Sequence, residues 1–195
     1  STDSHTGLST SAENNFFGKF LESEPKPDRV KAKMASVLQE SWQLGAAGLA
    51  AVWAEENTRE ALFSAIKRRE VYATTGPRIE VRFFAGWAFS QADLQSPDLS
   101  VVGYHKGVPM GADLASAPNG QSPSFLLAAS KDPGGANLDR IQVIKGWLDS
   151  AGKTQEKVYD VALSGGRSGD QSVGTSVILE DASYTNSIGV SQFAE

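Results

Sequence analysis

The chain has 195 residues, 40% of them hydrophobic, which is enough to bury a core and to form one large domain or two small ones. Its 18 Lys and Arg against 23 Asp and Glu leave a net charge of −5, so no basic stripe exists to displace counterions from phosphates, and nucleic acid is not an expected partner. Zero cysteines remove disulfides, thiolate metal sites and cysteine nucleophiles together without fixing the redox compartment, and no apolar run reaches membrane-spanning length, so no membrane partner is expected.

Residues 1–18, STDSHTGLSTSAENNFFG, have the Ser, Thr, Asn and Gly content of a loop that could lie over a site. Asp3 and His5 are its chemically active members. In an extended segment, residues two apart point to one side, so the pair serves either as two metal ligands or as a solvated pair near a chain end. Residues 22–28, ESEPKPD, form an extended, charged spacer held by Pro25 and Pro27. Residues 29–44 predict a surface helix, because Val30, Met34, Val37, Leu38 and Trp42 fall on one stripe.

The best-signalled unit is 48–79. Residues 48–54 are an apolar run of strand length. Asn57 or Thr58 caps a following helix, with Glu60 in its first turn. Leu62, Phe63 and Ile66 recur at helical spacing and predict one buried face. Lys67, Arg68 and Arg69 complement the C-terminal end of the helix dipole. Residues 71–75 are β-branched and aromatic and stop at Gly76-Pro77. The unit therefore predicts strand, helix and strand in a βαβ-type crossover. Glu55 and Glu56 follow the first strand, where they are either a solvated turn or active-site carboxylates.

Beyond residue 79 helical periodicity gives way to short apolar runs between Gly, Pro, Asp and Ser. The predicted strands are 80–85, 100–104, 124–130, 139–147, 156–163 and 173–179, separated by turns at 131–135 and 149–153. Such spacing predicts an antiparallel, sandwich-like domain with little helix. Residues 164–174 predict a loop. Asp132, Asp139 and Asp170 fit ordinary turn chemistry better than any calcium loop. His105 stands alone. Trp87, Phe89 and Trp147 are candidates for a carbohydrate-type stacking patch, or for packing between layers.

TDSHTGLSTSAENNFFGK, AVWAEENTREALFSAIKRREVYATTGPRI, VRFFAGW, GVPMGADL, SFLLAASKDPGGANLDRIQVIKGW and YTNSIG together resemble the C-terminal portion of a large bacterial family. That family is DUF3604, a domain of unknown function grouped with the PHP-like metal-dependent phosphoesterases, and the similarity runs over nearly the whole chain. The resemblance implies an α+β chain: residues 1–79 as the C-terminal β/α piece of a PHP-like barrel, and residues 80–195 as an antiparallel β-sandwich-like domain. It implies divalent metal ions (Zn, Mn or Fe) in the full-length protein, with TDSH matching the last barrel motif and Asp3 and His5 as ligands. The earlier barrel motifs have no counterpart here, and the family's chain continues past YTNSIG. The chain is therefore expected to be a fragment that lacks most of the metal site and is inactive without its N-terminal barrel portion. A periplasmic or secreted location follows if the parent carries a signal peptide.

In such an enzyme the metals activate water and stabilise charge on a phosphoryl or similar oxyanion. Arg68, Arg69 and Arg78 flank the YATTG strand and are candidates to hold a small anionic substrate, or are surface charges at element ends. The competing expectation is a β-rich module that completes the barrel or recognises an extended ligand such as a carbohydrate.

Overall fold

The computed structural model describes residues 31, 33–34, 39–40, 48–166, 177–178, 183–184 and 189–195. The chain divides into two compact units, Ser1–Ile79 and Glu80–Glu195.

In the first unit, β1 (Lys33–Met34) pairs antiparallel with β2 (Gln39–Glu40). This corrects the helix predicted over 29–44 at those positions. The stretch VKAKM alternates apolar and charged residues with period two, a strand signal that competes with the helical stripe. Next come β3 (Leu49–Val52), α1 (Arg59–Lys67) and β4 (Val71–Thr74). All three elements appear where the sequence places them, but β3 and β4 pair antiparallel, from Leu49↔Thr74 to Val52↔Val71, and not as a parallel crossover. The six-residue connector 53–58 spans up to about 20 Å, and the nine-residue helix runs back only about 13 Å. The outward and return legs offset each other, so the chain re-enters beside the end of β3 that it left. Trp53 N–H, donating to Glu70 C=O at 3.1 Å, extends that ladder.

Thr58 caps α1, its Oγ1 accepting from Ala61 N–H at 3.3 Å. The helix ends by donation from Arg68 N–H to Ser64 C=O and from Glu70 N–H to Ala65 C=O, with Arg69 at φ 66°, a left-handed conformation uncommon for a residue with a side chain. The buried stripe is not the predicted one. Ala65 is fully buried and Leu62 half-buried, while Phe63 and Ile66 are 66% and 54% exposed. The inward face is centred one residue away, on Leu62 and Ala65, where the small alanine lets the helix backbone approach closely.

In the second unit the elements are β5 (Glu80–Gly86), a 3₁₀ turn (Gln91–Gln95), α2 (Leu99–Lys106), β6 (Gly107–Pro109), β7 (Ser124–Ser130), β8 (Arg140–Leu148), β9 (Thr154–Leu163), β10 (Val177–Ile178), β11 (Ser183–Tyr184) and β12 (Gln192–Ala194). A four-stranded antiparallel sheet has the order β12-β7-β5-β6. The pairs β8-β9 and β10-β11 are separate antiparallel ladders. The chain is thus mixed α+β with antiparallel sheets, as expected. Of the predicted strand 173–179, Val177–Ile178 is observed and the remainder lies outside the described residues.

The strand predicted at 100–104 is helix α2. Asp98 caps it, one carboxylate oxygen accepting from Ser100 N–H at 2.8 Å and from Val101 N–H at 3.4 Å. α2 packs on β5 through Gly103, because Phe84, 1% exposed, occupies the space a Cβ there would take. The Tyr104 ring meets Phe84 edge-on at 5.2 Å. Leu126, opposite Phe84 in the register, is also buried. The Asp93 carboxylate ties the 3₁₀ turn to the end of α2, meeting Lys106 Nζ at 2.6 Å and Ser90 N–H at 2.8 Å. The Lys106 ammonium, with that N–H, holds the Asp93 carboxyl below its ordinary range.

Candidate functional site

The sequence-predicted residues of the first unit converge only in part. Glu55 and Glu56 lie in the turn after β3, and Glu60, Ser64 and Arg68 follow at four-residue spacing along one face of α1 and its C-cap. Together with Ala61 they line a cavity of about 310 Å³. Thr58 links turn to helix, since its hydroxyl donates to Glu56 Oε1 at 3.5 Å while accepting from Ala61 N–H. The Arg68 guanidinium is half-exposed and lies 3.5 Å from the carboxylate of Glu70, whose side chain is 4% exposed. The ion pair ties Arg68, which lines the cavity, to a buried carboxylate that does not.

The three carboxylates of this concavity can exchange protons and its one guanidinium can pair with an oxyanion, but the lining is net negative, so an anion needs further positive charge to bind there. Arg69 is exposed in its left-handed position, and Arg78 is exposed after Pro77; neither lines the cavity. Asp3 and His5 lie outside the described residues. Among the described residues no group of three or more His, Asp or Glu is gathered to hold a metal ion, so Glu55, Glu56 and Glu60 do not by themselves fit a divalent-metal site. His105 is exposed at the end of α2.

The family model described as Protein of unknown function (DUF3604) matches residues 1–195. The chain belongs to the DUF3604 family. No curated protein and no solved structure matches this DUF3604 chain. No helix among its described residues is long and apolar enough to cross a membrane.

The three aromatics singled out in the second unit have different environments. Phe89 is packed against the backbone, since a Cβ on Gly86 or Gly107 would stand 2.9 or 2.8 Å from its ring. Trp87 is half-buried. Trp147, on β8, is 39% exposed. Sequence reasoning missed Glu60 and Ser64 as cavity residues, although their four-residue spacing to Arg68 was a readable signal. It also missed Lys145, Lys157 and Tyr159, which share one face of the β8-β9 ladder with Trp147.

Proposed function

We propose that this chain is part of a metal-dependent hydrolase acting on phosphoester or related oxyanion substrates. The supporting observation is the cavity of the first unit, where Glu55, Glu56 and Glu60 face the same space as Arg68. A half-exposed guanidinium paired with a buried carboxylate is a fork for a substrate oxyanion. The carboxylates beside it supply general acid or base groups, and Glu56 is the one that the Thr58 hydroxyl approaches, at 3.5 Å. Arg69 and Arg78 are second-rank candidates that assist from outside the cavity.

The divalent ion belongs to the reading through Asp3 and His5, with further ligands on the upstream barrel portion of the parent protein. Bound there, it would supply an activated water and charge neutralisation at the oxyanion. The chain on its own is inactive in this reading. The test is hydrolysis of a chromogenic phosphoester by the parent protein. Arg68→Ala is expected to raise KM for the anionic substrate, and Glu56→Gln to lower kcat. Unchanged kinetics in both variants would remove the cavity from the reaction.

A further inference from the structure

The β8-β9 pair carries a chemistry that the hydrolytic reading does not use. Its side chains are exposed on both faces over residues 144–148 and 154–160. Directly opposed residues, and alternate residues along a strand, share a face. The register Val143↔Tyr159, Lys145↔Lys157 and Trp147↔Gln155 therefore gathers both lysines, Trp147 and Tyr159 on one side. Glu156 and Asp160 fall on the other side with Ile144, Leu148 and Val158.

Two directly opposed lysines repel each other. Each ammonium is drawn away along its own strand onto an aromatic ring, with Lys145 Nζ 5.1 Å from the Trp147 centroid and Lys157 Nζ 4.8 Å from that of Tyr159. Such contacts are weak at an exposed site and are readily given up to a fixed anion. Asp149, the carboxylate at the tip of the ladder, accepts from Ala151 N–H, Lys153 N–H and the Gln155 amide, all at 2.9 Å, and so is not available to the lysines.

The arrangement is a duplication. Lys-x-Trp on β8 and Lys-x-Tyr on β9 run antiparallel about a local two-fold between the opposed lysines. The two aromatics stand four residues apart in the register, about 13 Å along the strands. Each half offers one flat apolar ring face and one positive charge on neighbouring positions.

We propose that this face binds a uronate-containing oligosaccharide. The apolar C–H face of one pyranose ring stacks on Trp147 and that of another on Tyr159, and their ring carboxylates pair with Lys145 and Lys157. A uronate carries one carboxylate beside one apolar face, which matches the one-to-one ratio of lysine to aromatic. Single-stranded nucleic acid calls for a continuous basic groove, and the chain's net charge of −5 opposes it. A second copy meeting the same face would set lysine against lysine.

The test is titration of the full chain with a polygalacturonate hexamer, followed by calorimetry and by tryptophan fluorescence. Its fully methyl-esterified form, dextran sulfate and oligo-dT serve as the other ligands. Removing the ligand charge by esterification, or making Lys145→Gln with Lys157→Gln, is expected to weaken binding about tenfold or more, the scale of a lost charge-assisted contact. Trp147→Ala is expected to do the same with an unchanged circular dichroism spectrum, and Lys145→Arg with Lys157→Arg to keep the affinity. Equal binding of the methyl ester, preference for dextran sulfate or oligo-dT, or no binding of polygalacturonate would overturn the proposal.

Discussion

Gly103→Ala separates tertiary packing from local preference. Inside a helix, alanine is favoured over glycine by about 1 kcal/mol, so a reading of α2 as an isolated helix predicts stabilisation. In this structure an added Cβ would stand 2.5 Å from Phe84 Cδ2 and Cγ and 2.6 Å from Cε2. Phe84 is 1% exposed, opposite Leu126 and against the edge of Tyr104, so its ring has no free space to enter. Overpacking a close-packed site costs about 1–3 kcal/mol, and subtracting the propensity gain leaves a net loss of about 1 kcal/mol. Urea denaturation followed by tryptophan fluorescence measures it. Gly146→Ala is the control, because its nearest neighbour, Gln155 C=O, would be 3.9 Å away, and it should be as stable as the parent or up to about 1 kcal/mol more stable. A Gly103→Ala protein more stable than the parent would refute the packing of α2 on β5.

Thr58→Ala should cost about 1 kcal/mol by leaving the Ala61 N–H without its cap, while Thr58→Ser restores it; urea denaturation of the two variants checks this. Asp93 has a folded pKa below its unfolded value, so its contribution is fully present above the ordinary carboxylate range and is lost as pH falls through the lowered value. Melting temperatures of parent and Asp93→Asn proteins should therefore differ at neutral pH and converge in strong acid; a constant gap would contradict the Lys106 pairing. Gly152, at φ 75° in the β8-β9 turn, has open space around it, so Gly152→Ala should lose about 1–2 kcal/mol from backbone conformation alone, and faster proteolysis of the turn would report it.

Much of the fold was legible where local signals agreed. Thr58, Glu60 and Lys67 mark α1 from both ends, and β5, β7, β8 and β9 follow from short apolar runs between turns. α2 was misread because Val101, Val102 and Tyr104 give LSVVGYHK a strand-like composition; its readable signal was Asp98, a cap residue just after Pro97. What decides it is the Gly103–Phe84 contact, a long-range fact absent from any local window. The stripe of α1 was misplaced by one residue because Phe63 and Ile66 are the more hydrophobic choice, whereas Ala65 is the side chain small enough to bury. β12 is three residues long and is specified by its partner β7, not by its own pattern. In the candidate site Glu55, Glu56 and Arg68 were legible singly, but their shared cavity depends on the connector 53–58 folding back against α1.

The most direct test of the hydrolase reading is the divalent-metal content of the parent protein, measured by plasma mass spectrometry alongside its turnover of a chromogenic phosphoester. Stoichiometric metal with turnover, both lost in the Asp3→Ala, His5→Ala double variant, is the predicted result. Absence of bound metal, or turnover unaffected by the double substitution, would contradict it.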